Sequence, residues 1–197
     1  MGHIYFLLGG ARSGKSSYSE ELAEKIGGSV AYLATAQITD EEMKKRIEVH
    51  KKRRPAHWTV FEIKRDAPLI SDVKSVFENA VGSGHKIILI DCITNLLFRL
   101  VYRFNLDSIE VIDNILEETI ENEVLDFFDR FLALVSRLKS KNDTKVIIVS
   151  NEVGMGLVPA YPFGRIFRDL MGIINRKIAA ISDEAYFFIA GIPQRIK

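Results

Sequence analysis

Near the amino terminus, Gly9-Gly10-Ala11-Arg12-Ser13-Gly14-Lys15-Ser16 has the residue types and spacing of a phosphate-binding loop, G-x-x-x-x-G-K-[ST]. The glycines let the backbone curl so that its N–H groups converge on phosphate oxygens. Lys15 brings a full positive charge to the β- and γ-phosphates, and the Ser16 hydroxyl is placed to ligate Mg²⁺. A helix beginning at the loop adds its partial positive charge. The flanks suit this chemistry: residues 3–8 are an apolar, β-prone run, and residues 17–26 read as a helix.

Three further constellations bear on phosphate chemistry. Asp91 ends an apolar strand, the place where a P-loop protein carries its Mg²⁺-binding carboxylate; the alternative is a cap for the next helix. Asn151-Glu152-Val153-Gly154-Met155-Gly156 follows another buried strand, at what would be the ligand-facing edge of an open α/β sheet. Arg165, Arg168 and Asp169 open the helix after it. The helix at residues 40–54, started by Thr39 and Glu42 at capping-box spacing, is strongly cationic. Arg46, His50 and Arg53 or Arg54 share one face. They form either a solvated helix end, where the dipole favours cations, or a second place where phosphates are handled.

The chain has four histidines and one cysteine, Cys92. His3 starts a strand and reads as structural. His57, beside Pro55 and Trp58, reads as packing or hydrogen bonding. His85, in a Ser-Gly-His-Lys turn, is expected in solvent. No spacing supports zinc. A lone cysteine allows no intrachain disulfide, which suits a reducing cytoplasm.

These residues need elements to hold them. Runs at 29–34, 86–91, 145–150 and 185–190 read as buried strands, and 57–63 as an edge strand. Helices are expected at 40–54, 68–81, about 107–139 and 163–181. Strands alternating with helices imply a mostly parallel sheet covered on both faces. In the long helix Ile109, Ile112, Leu116, Ile120, Val124, Phe127, Phe131, Val135 and Leu138 form one stripe, either core or an oligomer seam. With 197 residues, 47% of them hydrophobic, one domain over residues 1–197 is expected. A net charge of +1 gives no electrostatic case for nucleic acid, and neither a membrane span nor a signal peptide is expected.

GGARSGKS, YLATAQITDEEMKKRIEVHKKRRPAHW, DCITNLLF, NEVGMGLVP, GRIFRDLMGIIN and AGIP, in that order, resemble the bifunctional adenosylcobinamide kinase / adenosylcobinamide-phosphate guanylyltransferase family. The resemblance runs from about Ile4 to the carboxyl terminus. It implies a RecA-like P-loop NTPase fold, a homotrimer and two reactions. ATP or GTP phosphorylates the aminopropanol hydroxyl of adenosylcobinamide; GTP then donates GMP to that phosphate through a guanylyl-histidine. The family's histidine falls on His50, with Arg46, Lys51 and Arg53 or Arg54 around the phosphates. Implied nucleotide contacts fall on Gly9, Gly10, Ala11, Arg12, Ser13, Gly14, Lys15 and Ser16, on Ala34, Thr35 and Ala36, on Lys51, Lys52, Arg53 and Arg54, and on Glu62 and Asp91. A carboxylate such as Glu62 suits the N1–H and N2–H donors of guanine. The chain departs from the family in a shorter segment after Thr94 and in Arg176, where relatives usually carry Gln. Without the resemblance, a plain small-molecule kinase or a nucleotide-dependent binding module would fit the P-loop.

Overall fold

Alternate residues of the central strands enter two separate cores. The first takes Ile4 and Phe6 of β1 (His3–Gly9), Ile88 and Ile90 of β4 (Ile87–Asp91) and Val146 and Ile148 of β5 (Lys145–Asn151). The second takes Leu7, Ile87, Leu89, Ile147 and Val149. A strand of period two that is buried on both faces must be apolar throughout, which is why these segments are unbroken apolar runs. The chain is described here by a computed structural model over residues 1–37, 41–63, 68–106 and 111–197, except the side chains of Glu42, Arg46, His50, Lys52, Lys141 and Asn142.

With β2 (Val30–Ala34), β3 (Thr59–Glu62), β6 (Glu184–Ile189) and β7 (Ile192–Arg195), the strands form a seven-stranded sheet in the order β3-β2-β4-β5-β1-β6-β7. Every pairing is parallel except β6 with β7. The first core is closed by α3 (Ile70–Gly82), α4 (Ile93–Tyr102), α5 (Asn114–Asn142) and α6 (Pro162–Ile181), which contribute Phe77, Leu97, Phe131 and Ile174 among others. The second is closed by α1 (Lys15–Ile26), through Ala23 and Leu22, and by Trp58. The helix α2 (Glu41–Arg53) lies between β2 and β3 in the chain.

Strand register lines up the polar strand ends. Gly9 pairs with Asn151, Ala34 with both Glu62 and Asp91, and Asp91 with Val149. These residues stand along the carboxyl edge of the sheet, where open α/β folds bind ligands. Buried Arg99 braces this edge, donating to the Thr35 carbonyl at 3.1 Å and the Ile63 carbonyl at 2.8 Å. Thr35 Oγ1 donates in turn to the Cys92 carbonyl at 2.7 Å. The chain exits from β2, β3 and β4 are thereby tied together.

Four sequence expectations change. The long helix starts at Asn114, because the Asp113 side chain accepts from Leu116 N and caps it there. Its stripe is core: Ile120, Val124, Phe131 and Val135 are fully buried, while Ile109 lies outside the described residues. Helix α4 and strand β7 were not expected. His85 is buried rather than solvated, because edge strand β3 covers it. Its Nδ1 sits 3.0 Å from the Ala80 carbonyl and its Nε2 2.8 Å from Thr59 Oγ1. Thr39, expected to start the cationic helix, also lies outside the described residues.

Candidate active site

The P-loop is held by contacts specific to its glycines. A Cβ on Gly9 would come within 2.7 Å of the Phe188 carbonyl oxygen, so β1 packs against β6 only with glycine there. Gly14 caps α1 at φ +94°, a left-handed conformation that glycine adopts at no steric cost. Lys15, next after Gly14, is folded inward over the loop. Its Nζ donates to the Gly9 carbonyl at 2.7 Å, the Gly10 carbonyl at 2.6 Å and Ser13 Oγ at 3.2 Å. Burial presses the Lys15 pKa down, and the neighbouring Cys92 and Asp91 pull the other way.

The loop forms one wall of a cleft of about 520 Å³, within the usual range for small-ligand sites. Residues 11–17 line it together with Ala34 at the end of β2 and Ala36 just after it, Glu62 at the end of β3, and Asp91 at the end of β4. Helix α2 closes the other side with Met43, Ile47, Lys51 and Arg53, and Arg54 follows immediately. Met43, Ile47 and Lys51 recur every four residues, which puts one helical face on the cleft. Arg53 also anchors the helix, donating to Ser17 Oγ at 2.7 Å and to Glu20 Oε2 at 2.9 Å.

Most of the expected nucleotide-contact residues therefore meet in one cavity. Gly9 and Gly10 contribute as acceptors for Lys15, and Thr35 sits behind the wall, bonded to Cys92. His50 and Lys52 belong to α2, where His50 lies between cleft-lining Ile47 and Lys51; the side chains of His50, Lys52 and Arg46 are outside the described residues. His57 stands apart and exposed, 3.3 Å from Glu24 Oε1. Asp91 does not cap the following helix: Cys92 occupies the α4 N-cap without a side-chain bond, and Asp91 faces the cleft.

Several lining residues carried no functional expectation. Tyr32 of β2 is 4% exposed and donates its hydroxyl to Asp91 Oδ2 at 3.2 Å. Burial, and next the Asp91 charge, raise its pKa, so the phenol keeps its proton. The available signal was one polar side chain in the middle of the apolar run VAYLA. Burial pushes the Cys92 thiol up to about 12, so it is no thiolate nucleophile near neutrality. Asn151, by contrast, was expected at the ligand-facing edge, and it lines the cleft from β5. Its N–H is bonded to Thr94 Oγ1 at 3.0 Å and its carbonyl accepts from Asn175 Nδ2 at 3.0 Å. Arg176, the departure next to Asn175, is exposed and lines no part of the cleft.

Among the described residues no cluster of three or more His, Cys, Asp or Glu could hold a metal alone. The cleft does bring one carboxylate, Asp91, and one hydroxyl, Ser16, to the phosphate cradle. That donor set fits Mg²⁺, which takes few protein ligands and completes its octahedron with phosphate oxygens and water.

A family model described as cobinamide kinase / cobinamide phosphate guanyltransferase matches residues 5–196. The bifunctional adenosylcobalamin biosynthesis protein CobU of Escherichia coli K12 is 35% identical over 200 residues, covering 98% of this chain and 99% of its own. CobU of Salmonella typhimurium LT2 is 36% identical over 198 residues, with the same coverage of both chains. CobP of Pseudomonas aeruginosa is 35% identical over 191 residues, 97% of this chain and 95% of that one. Among solved structures, the ATP synthase subunit NeqB from Nanoarcheaum equitans aligns with a TM-score of 0.54 at 11% identity, over 94% of this chain and 45% of that chain. That likeness concerns the fold alone.

Proposed function

The chain belongs to the cobinamide kinase / cobinamide phosphate guanyltransferase family, and we propose that one cleft serves both of its reactions, with the P-loop acting in the first and His50 of α2 in the second. It is a kinase for cobinamide and a guanylyltransferase for cobinamide phosphate in cobalamin biosynthesis. The observation that carries the shared-cleft reading is the lining itself: α2 faces the P-loop across one cavity.

In the kinase step the backbone of residues 9–16 binds the β- and γ-phosphates of ATP or GTP. Lys15 leaves its own carbonyls to meet the charge that develops on the transferred group. The acceptor is the aminopropanol hydroxyl of adenosylcobinamide; its oxygen forms the new P–O bond as the nucleoside diphosphate leaves. Asp91 and Ser16 would hold Mg²⁺, which neutralises phosphate charge when bound.

In the second step a neutral His50 imidazole attacks the α-phosphate of GTP, and pyrophosphate leaves. Lys51, Arg53 and Arg54, with Arg46 and Lys52 on the same helix, stabilise the phosphate charge. The phosphate of adenosylcobinamide phosphate then attacks the guanylyl-histidine, breaking the P–N bond, releasing imidazole and giving adenosylcobinamide-GDP. Glu62, at the rim, would accept the N1–H and N2–H of guanine, donors that adenine lacks. The same reading carries one domain over residues 1–197, a homotrimer and a cytoplasmic place of action.

Incubation with adenosylcobinamide, GTP and Mg²⁺, followed by mass spectrometry, tests it. Adenosylcobinamide phosphate and then adenosylcobinamide-GDP are expected. Accumulation of the phosphate alone would reduce the protein to a kinase.

A further inference from the structure

We infer that Tyr32 is a positioning residue for both halves of the cleft: its ring seats the Arg54 guanidinium, its hydroxyl orients the Asp91 carboxylate, and its bulk keeps that cation and that carboxylate from pairing. The inference rests on the roles proposed above for Asp91 and Arg54.

Arg54 Cζ lies 3.7 Å from the centroid of the Tyr32 ring, a cation–π seat. Arg54 Nε is buried and has no hydrogen-bond partner among the described residues. At the other end of the same side chain, the hydroxyl donates to Asp91 Oδ2 at 3.2 Å. The ring cannot drift, because Trp58 stacks against it with centroids 6.4 Å apart and planes 29° apart. Trp58 is itself fixed through Nε1, which donates to Glu24 Oε1 of α1 at 2.7 Å. The Arg54-Pro55-Ala56-His57-Trp58 segment thus closes around one tyrosine.

A neutral phenol suits this position. An Arg54–Asp91 ion pair would use up both charges that the cleft offers to phosphate and to a cation. Tyr32 satisfies one oxygen of Asp91 without neutralising it. It holds the flat guanidinium by its π face and by a side-chain hydrogen bond, leaving the remaining N–H donors for a ligand. Phenylalanine could offer only the π face, and leucine none of these.

The test uses Tyr32→Phe, Tyr32→Leu, Arg54→Ala and Asp91→Asn. The readout is calorimetric binding of the α,β-methylene analogue of GTP, which cannot transfer GMP, with and without Mg²⁺. Tyr32→Phe should leave Mg²⁺-free binding within about 2-fold of wild type and raise the Mg²⁺ needed to tighten binding by about 10-fold. Tyr32→Leu should in addition weaken Mg²⁺-free binding by about 10-fold, and should add nothing to Arg54→Ala. Should Tyr32→Leu fail to fold, Tyr32→Met replaces it. A wild-type Mg²⁺ dependence in Tyr32→Phe beside an impaired Asp91→Asn overturns the Tyr32 assignment alone. A wild-type dependence in Asp91→Asn overturns the Asp91 reading and this one with it. Equal Mg²⁺-free binding by Tyr32→Leu and Tyr32→Phe overturns the seat.

Discussion

Lys15 Nζ lies 2.7 Å from the carbonyl oxygen of Gly9, so the cation of the P-loop is bonded to the backbone of its own loop. A ligand phosphate must therefore compete with Gly9, and with Gly10 beside it, for the same ammonium. The loop is pre-formed, and the exchange moves one side chain rather than the backbone.

Lys15→Ala should lower kinase turnover by about 10²–10³, the usual effect of deleting one contact to transition-state charge. Circular dichroism should show the fold retained, since the Gly9–Phe188 packing and the Gly14 cap do not involve the lysine. Near-normal turnover in a folded variant would remove the P-loop from the kinase step.

Arg99 is the brace of the cleft edge, bonded to the carbonyls of Thr35 and Ile63. Arg99→Met keeps most of the volume but leaves two carbonyls without their donor. A loss of about 2–4 kcal/mol in urea unfolding is expected, with nucleotide affinity falling as the exits of β2 and β3 loosen. An unfolding midpoint equal to wild type would show that the brace contributes nothing.

Far from the cleft, Asp183 accepts from the Ile4 N–H at 2.8 Å and from Lys139 Nζ. Burial works to raise its pKa, but these bonds and the Lys139 charge outweigh it and hold it below the usual carboxylate range. A depressed folded pKa means that Asp183 stabilises above its unfolded pKa, about 3.9, and that this stability fades as pH falls through the folded value. Asp183→Asn should therefore cost about 1–2 kcal/mol at pH 7. The gap to wild type should narrow in the acid range. A gap that stays constant or widens toward low pH contradicts the linkage.

The parallel sheet was legible because strands buried on both faces must be continuously apolar, as residues 87–90 and 146–149 are. The P-loop was legible because two of its glycines, Gly9 and Gly14, meet backbone constraints that other residues meet only at a cost. Helix α4 was not: Ile93, Leu96, Leu97 and Leu100 do recur at helical spacing, but the helix is only 10 residues long and also buries Arg99 and Val101 outside that stripe. Strand β7 is four residues long and contains Pro193, which local pattern counts against. His85 was misjudged because a Ser-Gly-His-Lys turn says nothing of the strand that folds over it. Tyr32 was hidden for a similar reason: its partners, Arg54, Trp58 and Asp91, are distant in sequence and meet only in three dimensions.

In the proposed mechanism His50 carries GMP between GTP and the corrinoid phosphate. This transfer is tested most directly by incubating wild type, His50→Ala and His57→Ala with α-³²P GTP and Mg²⁺, denaturing, and counting label on the protein. Wild type and His57→Ala should carry acid-labile, base-stable label. His50→Ala should carry none, while still turning adenosylcobinamide into its phosphate. Label that persists on His50→Ala, or is absent from wild type while adenosylcobinamide-GDP still forms, would contradict the guanylyl-histidine account.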